Sequence, residues 1–269
     1  MCWVQRRGII RMKEIQEHIT IVVPQRGIND EGKGKKHALY RLISEAKTEY
    51  VWMQDDDIIP PQKTPDCQSL DADLIILPLR MESENSKPSL LERLQIAEYA
   101  AIQQLTVESA QRGKAVMCSG ANLIVRRNRW LESYPDLHPE IPSGDDMFLL
   151  ESFKRRGLKI IALDNPQYDA IVRPQTSWQA FFRQRMRWAG KAPKYTDKDI
   201  IKCGATTVGL NILQLLCPLI ILFKLPFEYR LIKKRDQSVS LFIAFILELF
   251  YPIYLIISLI GGLTRRHRW

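Results

Sequence analysis

Tyr50-Val51-Trp52-Met53-Gln54-Asp55-Asp56-Asp57 carries a run of β-favouring residues straight into three carboxylates, and Ile58, Ile59, Pro60 and Pro61 follow at once. A strand that stops at clustered carboxylates is how an open α/β sheet presents oxygen ligands at its carboxyl end, where such sheets bind their ligands. Hard oxygen ligands suit Mg²⁺ or Mn²⁺, and those ions in turn hold phosphate oxygens. A solvated acidic turn that merely ends the strand has the same sequence, so the triplet by itself leaves both readings open.

Upstream, Ile19 to Val23 is a β-branched run ended by Pro24, and residues 36–48 carry Leu39, Leu42, Ile43 and Ala46 at helical spacing. Strand, loop, helix and acidic strand make a unit of parallel α/β type. The loop places Gly27 and Gly32-Lys33 at the spacing of a phosphate-binding P-loop. Gly34 stands where that motif needs a hydroxyl for Mg²⁺, and Asp30 and Glu31 would oppose phosphate. The competing readings are a loop that supplies Lys33, Lys35 and Lys36 to a nucleotide, and a solvated basic loop.

Downstream, residues 73–79 read as the next strand and 89–112 as a long helix. Residues 115–118 and 123–125 read as strands bracketing the turn Ser119-Gly120-Ala121-Asn122. Ser143-Gly144-Asp145-Asp146 precedes an apolar-periodic segment at 147–156. Helix capping and the helix dipole account for one Asp there. A pair on a glycine turn can also place one carboxylate as a general base. Residues 176–190 mix Trp178, Phe181, Phe182, Arg185, Arg187 and Trp188 at helical spacing, the pattern of an interfacial helix.

The chain has 269 residues, 46% hydrophobic and 26% charged, enough for one sizeable core plus something smaller. Cys2, Cys67, Cys118, Cys203 and Cys217 are widely spaced with no Cys-x-x-Cys, which supports neither a disulfide framework nor a zinc site and fits a reducing compartment. His18, His37, His138 and His267 show no ligand spacing. The net charge of +9 is concentrated at residues 1–17, 224–235 and 265–268. It flanks the apolar C-terminal segments instead of striping a folded domain, which favours an anionic lipid surface and not nucleic acid. Residues 203–223 carry no charge and 237–264 carry only Glu248, each run exceeding the ~20 residues that cross a bilayer. Two crossings put the basic stretch between them outside, against the positive-inside tendency. A re-entrant or interfacial first run, which Pro218 favours, keeps it cytosolic.

Taken in order, the Lys-rich Gly loop, Asp-x-Asp at a strand end (Asp55, Asp57), Gly-Ala-Asn (Gly120 to Asn122), Gly-Asp-Asp (Gly144 to Asp146) and Gln-x-x-Arg-Trp (Gln184, Arg187, Trp188) resemble glycosyltransferase family 2, especially its membrane-bound, polysaccharide-synthase-like members. The resemblance implies a GT-A-like mixed α/β sheet with flanking helices over residues 1–202, and C-terminal transmembrane helices over 203–269. It implies an inverting hexosyl transfer from a nucleotide-sugar donor, a uridine diphosphate sugar, to a glycan or lipid-linked acceptor, with Mg²⁺ or Mn²⁺ as cofactor. Asp57 and Asp55 match the metal ligands, and Lys33, Lys35, Asp55 and Asp56 fall on the donor side. Asp146, with Asp145 beside it, matches the carboxylate that takes the acceptor proton, although the family more often has Glu or another residue where Asp145 stands. Gln184, Arg187, Trp188, Gly120 and Asn122 match the acceptor and diphosphate positions. The implied location is the cell membrane, with the catalytic part in the cytoplasm.

The family places a nucleotide-binding half ahead of the Lys-rich loop, and only about thirty residues precede it here. The sequence therefore reads as N-terminally shortened, with Ile19 to Val23 a late strand of the family's sheet and an exposed edge beside it. Weak donor binding, restored by supplying the upstream segment, is the matching expectation. A catalytically silent relative and a P-loop nucleotide hydrolase are the competing functions.

Overall fold

A computed structural model describes residues 11–16, 18–25, 34–141 and 143–264. The elements run β1 (Arg11–Gln16), β2 (Ile19–Val23), α1 (Lys35–Glu45), β3 (Tyr50–Gln54), α2 (Cys67–Leu70), β4 (Leu74–Ile76), β5 (Leu79–Met81), α3 (Leu90–Gln111) and β6 (Asn122–Arg126). There follow α4 (Arg127–Ser133), α5 (Asp145–Arg155), β7 (Ile160–Ala162), β8 (Ala170–Val172), α6 (Trp178–Ala189), α7 (Lys198–Leu216), α8 (Ile221–Arg235) and α9 (Leu241–Thr264).

The main sheet is mixed, in the order β1-β2-β3-β6-β4-β7, with β2 parallel to β3 and β6 antiparallel to both β3 and β4. The acidic strand is thus central, and its period-2 alternation feeds two cores. Val51 and Met53 pack with Leu39, Leu42, Ile43, Phe148 and Phe153 on the α1 and α5 side. Tyr50 and Trp52 pack with Ile75 and Ile124 on the other. A covered sheet with one central acidic end fixes where a site can open: at the carboxyl end of β3.

Three sequence expectations change. β1 pairs antiparallel with β2, so the edge expected beside Ile19 to Val23 is covered. The expected strand at 73–79 is split into β4 and β5 around Pro78, which has no N–H for a ladder and whose carbonyl is taken by Asn122 Nδ2 at 2.9 Å. Residues 115–118 form no strand, because both places beside β6 are filled by β3 and β4. By contrast α3 starts as the sequence suggests: Ser89 accepts from Glu92 N–H and the Glu92 carboxylate accepts from Ser89 N–H, a capping box.

The uncharged run at 203–223 is not one helix. α7 stops at Leu216, Cys217 is extended, and Pro218 opens a short 3₁₀ turn before α8, since proline excludes the helical conformation from the residue before it. Among the described residues only α9 is long and apolar enough to cross a membrane, and the first run breaks at Pro218, the residue that favoured an irregular segment there.

α9 packs on α6 at a glycine crossing. A Cβ added at Gly262 would lie 2.6 Å from the Met186 carbonyl oxygen and 2.7 Å from Gly190 N, both rigid backbone atoms. Gly262→Ala is therefore expected to pry the two helices apart and destabilise the protein by about 1–3 kcal/mol, read as a lowered denaturation midpoint.

Candidate functional site

α1 begins immediately after Gly34, and its first residue, Lys35, points at the carboxyl end of β3. Lys35 Nζ lies 2.7 Å from Asp55 Oδ1 and 3.3 Å from Asp145 Oδ2, tying the acidic strand to the start of α5. Burial alone would lower the lysine pKa, but Asp145, Asp55 and Asp146 together hold it above its ordinary value. Lys33 lies outside the described residues. Lys36 turns inward, donating to the His138 carbonyl at 2.9 Å over the Phe148 ring. Burial, and after it Lys191, lowers its pKa to about 8.

Gly144 caps α5 with φ of 86°, a left-handed conformation that favours glycine. A Cβ there would also meet Lys191 Cδ at 2.9 Å and the Phe148 ring at 3.1 Å. Behind that turn the two carboxylates differ. Asp145 is buried; although burial opposes its ionisation, Lys35 and Lys191 hold its carboxyl below the usual range. Asp146 is partly exposed, and burial followed by the charge of Asp145 raises its carboxyl. Asp146 Oδ1 accepts from Met147 N–H at 2.8 Å and Oδ2 from Gly120 N–H at 3.4 Å. Gly120 must be small, because a Cβ would sit 2.9 Å from Asp145 Oδ2. Two carboxyls whose pKa values are pushed apart are the arrangement that supplies one permanent anion and one proton acceptor.

Asp56 and Asp57 are exposed on the turn after β3. Crowding by the surrounding chain, and after it the charges of Asp55 and Asp56, raises the Asp57 carboxyl. That repulsion is what a bound cation relieves. Among the described residues no three metal-ligating side chains converge, and Asp55 is paired with Lys35.

Asn122 belongs to the scaffold. It is fully buried, its Oδ1 accepts from Trp52 Nε1 at 2.9 Å, and its Nδ2 donates to the Pro78 and Tyr168 carbonyls at 2.9 Å each. Its amide N–H groups are both spent on holding the sheet end.

α6 carries Gln184, Arg187 and Trp188, the last two exposed. The residue between them that the sequence motif leaves open, Arg185, anchors the helix. Its guanidinium is buried, ion-paired to Glu98 of α3, and set between the Phe181 and Trp188 rings at 4.6 and 4.4 Å. It also donates to Gln184 Oε1 at 2.6 Å, and Tyr254 of α9 donates to the same Glu98. Just past α6, Lys191 is buried against Gly144 and acts on both Asp145 and Asp146. Sequence reasoning missed Lys191 and Glu98. The one available signal was a glutamate set among the apolar positions Leu91, Leu94 and Ala97 of an otherwise amphipathic helix.

No curated protein matches the chain. The sequence profile of the family described as glycosyltransferase like family 2 matches residues 10–191, a stretch holding the acidic strand, the glycine turn, both α5 carboxylates and the whole of α6. With two thirds of its length matched, the chain belongs to the glycosyltransferase family 2-like proteins.

Proposed function

We propose that this protein is a membrane-bound, metal-dependent, inverting glycosyltransferase that moves a sugar from a uridine diphosphate sugar to a hydroxyl of a glycan or lipid-linked acceptor. Residues 1–202 form the catalytic part, facing the cytoplasm, and 203–269 the membrane region. The observation that carries the reading is the divergence of Asp145 and Asp146, one held ionised by Lys35 and the other raised, within reach of Asp55.

In this reading Asp146 takes the proton from the acceptor hydroxyl as the oxygen attacks the anomeric carbon. The attack comes opposite the bond to the departing diphosphate, so the configuration inverts. Lys35 gives the diphosphate a fixed positive partner, and Asp145 keeps that ammonium charged and in place. Asp56 and Lys33 complete the donor side. Gly120 leaves room beside Asp145 and Lys35 while its N–H reaches Asp146, and Gln184, Arg187 and Trp188 hold acceptor and diphosphate. Asp55 and Asp57 would hold Mg²⁺ or Mn²⁺, which when bound neutralises the leaving nucleoside diphosphate.

The sign of the pH dependence follows. Asp146 must be ionised to accept a proton, and its carboxyl lies above the usual carboxylate range. The acid limb of kcat should therefore rise with pH through a value higher than that of an ordinary Asp, measured as transfer rate against pH at saturating donor.

The donor site is tested by Asp57→Asn. Titrating Mn²⁺ in the presence of uridine diphosphate should show metal-dependent nucleotide affinity lowered by at least ~10-fold, since one anionic ligand is gone. Unchanged metal-dependent affinity would reduce the triplet to an acidic turn.

A further inference from the structure

We propose that α9 lies in the plane of one leaflet, as a one-sided seat on anionic lipid, and does not cross the bilayer. The inference rests on the membrane-bound reading above and deepens it. One face of α9 is packed along its length on the catalytic part. Ile243, Ala244 and Leu247 share a core with Leu91 and Leu94 of α3 and Ile232 of α8. Further along, Phe250 meets Trp178 at 5.3 Å, Tyr254 meets Phe181 at 5.3 Å, and Gly262 lies against Gly190.

Those last contacts set the direction. Trp178 to Gly190 on α6 matches Phe250 to Gly262 on α9, so the two helices run side by side in the same sense. Turning α9 across the bilayer would carry α6 with it, and Arg183 and Arg187, both exposed, would enter hydrocarbon. The opposite face of α9 is an apolar stripe left open among the described residues: Phe245, Leu249, Ile253, Ile257, Ile260 and Leu263 are each at least 40% exposed. Its length and its near-regular spacing of four suit a helix resting on lipid along one side.

The α7–α8 hairpin obeys the same one-sidedness. Its apex exposes Leu216, Leu219, Leu222 and Phe223, yet both of its ends are fixed to the catalytic part. At the start of α7, Asp197 pairs with Lys154 of α5 at 2.5 Å; at the end of α8, Lys234 pairs with Glu108 at 2.6 Å and Arg235 with Asp164 at 2.9 Å. Lys224, buried on α8, binds Glu248 of α9 at 2.9 Å and Gln214 of α7 at 2.7 Å, pinning the hairpin to α9. Lys224, Lys234 and Arg235 are spent on these pairs, Arg230 stays exposed on α8, and in the sequence Arg265, Arg266 and Arg268 follow α9 directly, charges that suit anionic headgroups. The C-terminal end of α9 also adjoins Gly190, next to the Lys191 that packs on the glycine turn before α5.

The test uses the full chain with Cys2→Ser, Cys203→Ser and Cys217→Ser, leaving only the buried Cys67 and Cys118, and nitroxide labels placed singly through Phe245→Cys, Leu249→Cys, Ile253→Cys, Ile257→Cys, Ile260→Cys and Leu263→Cys. Label depth is read from oxygen against nickel-chelate accessibility in phosphatidylcholine–phosphatidylglycerol vesicles. The labels span roughly 27 Å along the helix axis. The in-plane seat requires all six at one shallow depth, ~5–10 Å below the headgroups. A profile that passes through a maximum at the bilayer midplane overturns the in-plane arrangement and leaves the membrane-bound reading standing. Labels that show no change on adding vesicles, as when a second copy covers the stripe, overturn both.

Discussion

Asp146→Asn is expected to lower kcat for sugar transfer by ~10²–10⁴-fold while leaving donor affinity nearly unchanged. The amide cannot take a proton, but its oxygen can still accept from Met147 N–H, and the donor-side groups Lys35 and Asp55 are untouched. The fold should not suffer either. A carboxyl whose pKa is raised on folding binds its proton more tightly in the native state, so its contribution favours the fold at low pH and is lost as pH rises through that window. Removing the charge at Asp146 removes that loss, and the variant should melt at or above the parent temperature near neutral pH. Asp145→Asn is the contrast. Its carboxyl is depressed on folding, so its contribution is present above the ordinary Asp range and lost as pH falls, and the substitution should destabilise the protein at neutral pH. Measuring kcat, donor affinity and melting temperature on both variants separates base from scaffold.

Arg185→Ala is expected to have the largest effect on stability. The change strands Glu98, only 6% exposed as a side chain, in a helix-packed interior with Tyr254 as its one remaining hydrogen-bond partner among the described residues. Breaking a buried pair from one side costs about 3–5 kcal/mol, a fall in melting temperature of roughly 10 °C for a domain of this size. The loss also frees the Trp188 ring from the guanidinium at 4.4 Å and Gln184 from its bond, so acceptor KM should rise beyond what melting explains. Arg185→Met combined with Glu98→Leu, which removes both charges, should recover much of the stability without restoring KM. A double variant as unstable as the single one would mean that the pair contributes packing and not charge.

The parts of the fold that the sequence exposed are those written in local pattern. The β-favouring run of β3, the long helix from residue 89 and the acidic start of α5 each follow from residues a few positions apart. What stayed hidden depends on pairs far apart in the chain. Lys35 joins Asp55 to Asp145 across the site, and Lys191 reaches back to Gly144. Asn122 sits in a turn whose residue types suit a ligand loop, and only the register opposite Gln54 shows that its amide is enclosed by the sheet. The run at 203–223 left two arrangements open for another reason. Absence of charge measures compatibility with lipid, whereas continuity of a helix is decided by the backbone, and Pro218 breaks it.

These strands meet in one measurement: the anomeric configuration of the product, followed by proton NMR during turnover of uridine diphosphate sugars by the full chain in lipid vesicles, with Mn²⁺ and after chelation. The account requires a product of inverted configuration, formed only with the metal present and lost in Asp146→Asn. Retained configuration, transfer indifferent to chelation, or transfer surviving in Asp146→Asn would contradict it.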